Sequence, residues 1–284
     1  MTDHDNLRNQ VAEQLTARSA AGGPLHRDAP GRTERRYATS IRRRFFHREI
    51  IEQHLAQGNP RRDGLGAIIS AGPPGAGKTT ILRSRVHDLD DYRIIDADAI
   101  KDDLIEQALA DGIYGDLLTE VLADGHTLAP RELAALVHNE SVQLADQLRK
   151  ICIARNENIV IEGTLTWQPH GVRLYRELAD AQYETIEVYG VEIEQAQAHQ
   201  QAQSRWWEGR LAWVNGTDHL GGRFTPAEAI DICYPTPGQC LCIANARHFI
   251  DTAQSGDIPN VHVTILGRQP TGALEITEEL FYRQ

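Results

Sequence analysis

The chain has 284 residues, of which 41% are hydrophobic and 24% are charged, a composition that excludes a wholly disordered chain, a collagen-like chain and one long coiled coil. Its 40 acidic side chains outnumber its 29 basic ones and give a formal net charge of −11, which argues against binding to nucleic acid through phosphates. We expect a cytoplasmic protein that binds no membrane, because no apolar run reaches about 18 residues and the N-terminus lacks the layout of a signal peptide.

The first 60 residues are predicted to form a helical N-terminal extension. Apolar side chains recur at four-residue spacing from Leu7 to Leu15, which predicts a short amphipathic helix. A stretch rich in glycine, proline and alanine over residues 19–31 predicts a linker or loop, and a second helix is predicted over residues 37–57. The basic run Arg42–Arg44 in that helix is interpreted as a solvated helix face, and a contact with a partner or a phosphate is the alternative.

Residues 61–284 are predicted to form one domain in which strands and helices alternate. Short apolar runs predict buried strands at Ala67–Ser70, Tyr92–Ile95, Ile159–Ile161, Thr185–Val191 and Val261–Leu266. The segments between them carry helical patterns at Lys78–Asp88, Leu133–Leu148, from Pro169 onward, and at Glu194–Trp213 and Gln239–Asp251. Because buried strands joined by helical crossovers form parallel sheets, we predict an α/β fold with a mostly parallel sheet flanked by helices on both faces.

The strongest motif follows the first predicted strand and opens a predicted helix. Residues 72–79 fit the phosphate-binding pattern G-x-x-x-x-G-K-[ST] in full. Glycines let the backbone N–H groups curl around phosphate oxygens, Lys78 reaches the β- and γ-phosphates, and Thr79 is placed for Mg²⁺. A turn rich in glycine and proline that fits the pattern by chance is the alternative. The motif predicts an ATP site formed by Gly72, Pro73, Pro74, Gly75, Ala76, Gly77, Lys78, Thr79 and Thr80.

Acidic residues at the ends of the next strands favour kinase chemistry over the other uses of this motif. The sequence lacks the guanine-reading Asn-Lys-x-Asp motif of GTPases and the Leu-Ser-Gly-Gly-Gln signature of transporters. Asp96 and Asp98 follow the second predicted strand, and Glu162 and Thr164 follow the third, where ligands bind in such sheets. Asp98 is a candidate base for an acceptor hydroxyl, or only the N-cap of a helix that begins near Ala99. Asp96 competes for the role of base, or binds Mg²⁺ through water.

Arginines are needed to neutralise the charge that spreads over a transferring phosphate. Arg205 lies in the predicted polar helix and Arg223 precedes a predicted capped helix, and the two flank a Gly-rich loop suited to close over ATP as a lid. Because arginine is common in this chain, ordinary surface residues are the alternative for both. The neighbouring Trp206, Trp207 and Trp213 are expected to pack in the core, with stacking on a base as the alternative.

The cysteines are expected to be buried, reduced thiols. The Cys-x-Cys pair at positions 240 and 242 has the spacing of a metal knuckle, but zinc sites normally need a second pair of ligands. No such pair is present among Cys152, Cys233, Cys240 and Cys242.

The sequence resembles the zeta toxin family of P-loop kinases over roughly residues 65–230, where the family's motifs occur in order. The matching residues are Gly72–Thr79, Ile95-Asp96-Ala97-Asp98 with Lys101, His138-Asn139-Glu140-Ser141, Ile161-Glu162-Gly163-Thr164, Arg205, and Gly222-Arg223-Phe224-Thr225-Pro226. The resemblance implies a three-layer P-loop kinase that uses ATP and Mg²⁺ to phosphorylate a sugar hydroxyl of a UDP-N-acetyl amino sugar, typically UDP-N-acetylglucosamine. It also implies the toxin component of a toxin–antitoxin system, held inactive by a small helical antitoxin. Residues 1–60 are either such a cover in cis or a helical buttress of the kinase domain.

The resemblance further implies a role for each matching residue. Asp98 would be the general base, and Lys78, Arg205 and Arg223 would stabilise the transferring phosphate. The acceptor would be held by Asp96, Asp98, Lys101, Glu140, Glu162 and Thr164, and Thr79 would bind Mg²⁺. The competing functions are a phosphotransferase for another hydroxyl compound, such as an antibiotic or a nucleoside, and a nucleotide-binding regulator without transfer activity.

Overall fold

A computed structural model describes residues 3–268 and 273–284 of the chain. The chain divides into two compact units, each built from several segments. The helical unit comprises the residues up to Ile51 together with Ala97–Ala145 and Gln200–Ala227. The sheet unit comprises Glu52–Asp96, Asp146–His199 and Glu228–Gln284. The sequence-based division, a single boundary after residue 60, stays a prediction.

The sheet unit is built on one mixed sheet. Its strands among the described residues are β1 Gly66–Ala71, β2 Arg93–Asp96, β3 Ile159–Glu162, β4 Thr185–Glu192, β5 Asn260–Arg268 and β6 Leu274–Arg283. The strand order is β2-β3-β1-β4-β5-β6, and every neighbouring pair is parallel except the antiparallel pair of β5 and β6. The mostly parallel sheet is therefore confirmed, while β6 has no counterpart among the predicted strands.

The α-helices of the described residues begin and end close to the predicted positions in most cases. They are α1 Asp3–Ser19, α2 Thr33–Arg36, α3 Ile41–Ala56, α4 Lys78–Arg85, α5 Ala97–Ala110, α6 His138–Ala154, α7 Gln168–Asp180, α8 Gln195–Val214, α9 Ala227–Asp231 and α10 Leu241–Gln254. No helix in the described part of the chain is both long enough and apolar enough to cross a membrane.

Helices cover both faces of the sheet. On one face, Leu82 of α4 packs with Ile68 of β1 in a buried cluster that Tyr189 of β4 also contacts. On the other face, a β-carbon on the next residue of β4, Gly190, would lie 3.1 Å from the side chain of Ile243 in α10. Since successive residues of a strand point to opposite faces, α4 and α10 enclose the sheet from both sides, which confirms the three-layer fold.

The helical unit has its own apolar core, and the N-terminal segment is part of it. Val11 and Leu15 of α1 are fully buried and share a cluster with Trp206 and Trp207 of α8. Leu25, in the stretch predicted to be a linker, is buried in the same cluster. This packing is what the buttress hypothesis requires, and it confirms that the first two tryptophans are core residues.

Three local predictions are wrong in detail. The long helical tract begins with a 3₁₀-helix, Pro130–Val137, and only then continues as α6. The helix after the phosphate-binding loop ends at Arg85 rather than near Asp88, because the backbone of Val86 is extended. Asp98 lies inside the first turn of α5, since that helix starts at Ala97, and Asp98 is therefore not the N-cap.

Candidate functional site

The loop between β1 and α4 in the sheet unit owes its shape to glycine. Gly72, Gly75 and Gly77 have φ angles of 145°, 85° and 89°, which other residues rarely adopt. A β-carbon on Gly72 would lie 2.9 Å from the carbonyl oxygen of Val191, so the loop runs close against β4. Because α4 begins immediately after Gly77, the N–H groups of its first turn form an anion-binding end. The predicted phosphate-binding loop thus has the backbone that its function requires.

The polar side chains of this loop contact its backbone and the end of β3. The ammonium group of Lys78 donates to the carbonyl oxygens of Gly72 at 2.9 Å and Pro73 at 3.1 Å. Lys78 therefore folds over the loop, where phosphate oxygens would replace the carbonyl groups as its partners. The hydroxyl of Thr79 donates to the Glu162 carboxylate at 2.8 Å.

Hard oxygen atoms gather where β2 and β3 end. Asp96 pairs in register with Glu162, and Glu162 accepts the hydrogen bond from Thr79. Mg²⁺ in nucleotide sites takes a hydroxyl or one or two carboxylates, with phosphates and waters as its other ligands, and these residues fit that donor set. Across residues 3–268 and 273–284, no cluster of three or more acidic, histidine or cysteine side chains forms a metal site by itself. The nucleotide would therefore supply the remaining ligands.

The segment after β3 is tied to β1 and to the phosphate-binding loop. The N–H of Gly72 donates to the carbonyl of Thr164 at 3.1 Å, and the Ser70 hydroxyl accepts from the N–H of Gly163 at 3.1 Å. The Thr166 hydroxyl donates to that of Thr164 at 2.8 Å. The position of Thr164, a predicted acceptor residue, is thus set by backbone bonds to the loop that would hold the nucleotide phosphates.

Within the helical unit, Asp98 lies in a network of basic side chains. Lys101, one turn further along α5, donates to one carboxylate oxygen of Asp98 at 2.8 Å, and Arg223 contacts the other at 3.0 Å. Arg223 also donates to Asp102 at 2.8 Å, and Arg131 bonds Asp102 through two of its nitrogens. Acidic and basic side chains alternate in this network, and their charged hydrogen bonds fix the direction in which the Asp98 carboxylate points.

The basic side chains keep Asp98 ionised. Burial of the carboxyl opposes ionisation, but the positive charges of Lys101, Arg223 and Arg205 outweigh it and hold the pKa of Asp98 well below its ordinary value. Arg205 itself is exposed on α8. The sequence-predicted group of Asp98, Lys101, Arg205 and Arg223 is thus brought together in one unit.

Glu140 has a different environment from the other predicted acceptor residues. It is 2% exposed at the start of α6, and its two oxygens accept hydrogen bonds from Arg43 at 2.7 and 2.8 Å. His47, one turn after Arg43 on α3, contacts the same carboxylate. Burial alone would raise the pKa of Glu140, but the hydrogen bonds of Arg43, His47 and Thr33 lower it to about 2. Glu140 would have to leave these partners before it could bind an acceptor.

The role of Arg43 was missed by the sequence analysis. Arg42 and Arg44 are exposed, as the solvated-face interpretation expects, but Arg43 between them is only 5% exposed. Its guanidinium lies over the ring of Tyr37 at 4.1 Å from the centroid. Helical spacing is the local signal that could have marked Arg43, since it lies two turns before the fully buried Ile50 on the same face of α3. The buried pairing of Arg210 with Glu132 at 2.9 Å was also missed, because the two residues are 78 positions apart in the chain.

The cysteine prediction is confirmed. Cys152, Cys233, Cys240 and Cys242 are all buried and none forms a disulfide. Cys233 and Cys242 each lie 3.6 Å from the Thr166 hydroxyl, so these thiols pack beneath the segment that follows β3.

Comparison with known proteins adds family and fold. The model of the family described as "Zeta toxin" matches residues 52–254. No curated protein sequence matches the chain. Among solved structures, one from the PezAT chromosomal toxin–antitoxin system of Streptococcus pneumoniae is 14% identical, with a TM-score of 0.51, over 85% of this chain and 81% of that chain.

Two further solved structures come from the AvrRxo1-ORF1:AvrRxo1-ORF2 complex. The one with sulphate ions is 14% identical, with a TM-score of 0.59, over 92% of this chain and 76% of that chain. The one with ATP is 13% identical, with a TM-score of 0.55, over 85% of this chain and 69% of that chain. At these identities the likeness to solved structures is one of fold.

Proposed function

The chain belongs to the zeta toxin family, whose model matches well over half of its length, and from this premise we propose that it is an ATP-dependent kinase. The proposed reaction transfers the γ-phosphate of ATP to a sugar hydroxyl of a UDP-N-acetyl amino sugar, with UDP-N-acetylglucosamine as the first candidate. The observation that carries the proposal is the ionised carboxylate of Asp98 among Lys101, Arg205 and Arg223. A protein that only binds nucleotides needs no such base.

In the proposed mechanism, Asp98 orients the acceptor hydroxyl and takes its proton as the new oxygen–phosphorus bond forms. A carboxylate with a low pKa is a weak base, and phosphoryl transfer through a loose transition state needs orientation more than early proton removal. Lys101 and Arg223 each contact one oxygen of Asp98. Because a carboxylate accepts about four hydrogen bonds in all, these two contacts do not by themselves prevent Asp98 from accepting one from the acceptor hydroxyl. Arg205, Arg223 and Lys78 would neutralise the charge on the transferring phosphate.

The phosphate-binding loop would hold the nucleotide, through Gly72, Pro73, Pro74, Gly75, Ala76, Gly77, Lys78, Thr79 and Thr80. Thr79 would bind Mg²⁺ directly, and Glu162 and Asp96 would hold water molecules of its coordination sphere. When bound, Mg²⁺ supplies positive charge to the β- and γ-phosphate oxygens. Thr164 would contact the acceptor.

A small helical antitoxin is the proposed macromolecular partner. Support comes from family membership and from the fold likeness to a protein of the PezAT toxin–antitoxin system. A toxin that consumes ATP and a cell-wall precursor would act in the cytoplasm, where both are made. Binding of a purified antitoxin candidate that lowers ATP turnover by the full chain would support this part of the proposal.

The proposed reaction is tested by incubating the full chain with Mg²⁺, γ-labelled ATP and a panel of acceptors. The panel contains UDP-N-acetylglucosamine, other UDP-sugars, nucleosides and chloramphenicol. Label on a UDP-sugar is expected. Label on another compound would show that the proposed acceptor is wrong and that the chain is nevertheless a kinase. Binding of ATP without any labelled product would favour a nucleotide-binding regulator.

Asp98→Asn provides the control that separates catalysis from binding. We expect labelled product to fall by about 10²- to 10⁴-fold, the usual contribution of a general base, while ATP affinity stays close to that of the wild type. Product formation at the wild-type rate in this variant would reject Asp98 as the base.

A further inference from the structure

Arg268 is the last residue of β5, at the edge of the sheet where the phosphate-binding loop begins. β5 runs parallel to β4, and β4 runs parallel to β1, so the carboxyl ends of all three strands lie at the same edge. Gly267 pairs in register with Glu192, the last residue of β4. Arg268, the next residue after Gly267, therefore lies at the same level as the loop that follows β1.

The Arg268 side chain reaches this loop. Its Nη2 atom lies 3.2 Å from the position that a β-carbon on Gly77 would occupy, and no other described atom beyond the chain neighbours comes within 4 Å of that position. Gly77 immediately precedes the first turn of α4, whose N–H groups form the anion-binding end. A guanidinium therefore lies against the residue next to Lys78, although Arg268 is 190 positions further along the chain.

The chemistry of this position suits an anion with several oxygens. Arg268 offers a planar set of donors that stays charged at any physiological pH and can bind two phosphate oxygens at once. Lys78 is a point charge that presently contacts the carbonyl groups of Gly72 and Pro73. A nucleoside triphosphate carries more charge than one lysine neutralises, so a second cation beside the helix end would add directly to binding.

The absence of a side chain at Gly77 is consistent with this arrangement. Its φ of 89° already favours glycine, and a β-carbon would press against the Arg268 guanidinium at 3.2 Å. The lack of a side chain at Gly77 thus leaves room for the Arg268 guanidinium beside the start of α4.

We propose that Arg268 is a phosphate-binding cation of the sheet unit, acting with Lys78 on the phosphates of ATP. The inference rests on the proposed function in that it takes ATP as the ligand. It assigns to β5 a role in binding that neither the phosphate-binding motif nor the strand-end carboxylates account for.

The test measures ATP and ADP affinity of the full chain by calorimetry in Mg²⁺, with no acceptor present. Arg268→Gln is expected to raise the Kd for ATP by about ten- to hundredfold, the usual effect of losing a charge-assisted hydrogen bond. Arg268→Lys should recover part of this loss because it restores the charge without the fork. Arg61→Gln is the matched control, since Arg61 lies in the same unit ahead of β1, at the opposite edge of the sheet, and is paired with Asp63 at 2.6 Å. Its Kd is expected to equal that of the wild type.

The following results would overturn or keep the assignment of Arg268 to phosphate binding. Wild-type ATP affinity in Arg268→Gln would overturn the proposal, as would an equal loss in Arg61→Gln. A role in packing alone predicts that Arg268→Lys is no better than Arg268→Gln and that unfolding without nucleotide shifts to lower temperature in both, and that result would also overturn it. If the wild type binds ATP but transfers phosphate to no acceptor, the kinase proposal fails while the assignment of Arg268 stands. A wild type that binds no ATP would overturn both.

Discussion

The two glutamates that the family resemblance assigns to the acceptor, Glu140 and Glu162, have opposite environments. Glu140, in the helical unit, is almost fully buried and is bonded through both oxygens to Arg43. Glu162, in the sheet unit, is partly exposed and accepts a hydrogen bond from the exposed hydroxyl of Thr79. One carboxylate is therefore held by the protein's own cations, whereas the other lies beside a loop built for phosphate.

This difference shows that a matching motif does not by itself fix a residue's task. Glu140 joins the N-terminal helix α3 to α6, and without it the buried guanidinium of Arg43 would lose its charged partner. Glu162 accepts its hydrogen bond from the Thr79 hydroxyl and is partly exposed, and these surroundings suit a changing set of ligands. We infer that stability depends mainly on the first glutamate and phosphate transfer mainly on the second, and the predictions below test that division.

The largest effect on the free energy of unfolding is expected for Glu140→Ala. Removing one partner of a buried ion pair leaves an uncompensated charge on Arg43 and costs about 3–5 kcal/mol of unfolding free energy. Urea unfolding of the variant and the wild type measures the loss. The double variant Arg43→Met with Glu140→Leu removes both charges and should be more stable than Glu140→Ala. If the single variant were as stable as the wild type, Glu140 would not be the structural anchor that its contacts suggest.

Acid should weaken the same contact. The pKa of Glu140 is lowered to about 2 in the folded chain from an ordinary value of 4.5, because Arg43 and its other donors outweigh the effect of burial. A depressed pKa contributes stability above pH 4.5, and the contribution is lost as the pH falls from 4.5 through about 2. Over that window the wild type should lose about 3 kcal/mol more unfolding free energy than Glu140→Gln, which cannot titrate. Parallel pH profiles for the two proteins would contradict this account.

The sheet and the phosphate-binding loop could be predicted because their signals are local. β1 is buried along its whole length around the apolar run Ala67–Ile69, and the glycines that follow it encode their own backbone conformation. β6 escaped prediction because it is an edge strand whose alternate residues are exposed, several of them charged, so that no buried run marks it. Its pairing with β5 depends on a neighbour that local patterns do not reveal.

The missed half of the candidate site depends on contacts between distant parts of the chain. Arg43 and Glu140 are 97 residues apart, and nothing near either position marks it as a partner of the other. Arg268 and Gly77 are likewise joined only by the sheet order, which places β5 and β1 on either side of β4. Residue types at strand ends could be read from the sequence, but which charges neutralise one another could not.

The smallest effect on folding, and the sharpest contrast with Glu140, is expected for Glu162→Gln. The amide keeps the shape of the side chain and can still accept from Thr79, so unfolding free energy should change by at most about 1 kcal/mol. Phosphate transfer should nevertheless fall by about ten- to hundredfold, the usual cost of removing an outer ligand of a bound metal ion. Raising the Mg²⁺ concentration should recover part of the rate in this variant, because a neutral amide weakens Mg²⁺ binding without removing the Thr79 hydroxyl. If Glu162→Gln transferred phosphate normally but unfolded as easily as Glu140→Ala, the assignment would be reversed. Glu162 would then be the residue that stabilises the fold, and Glu140 would be left as the candidate for binding.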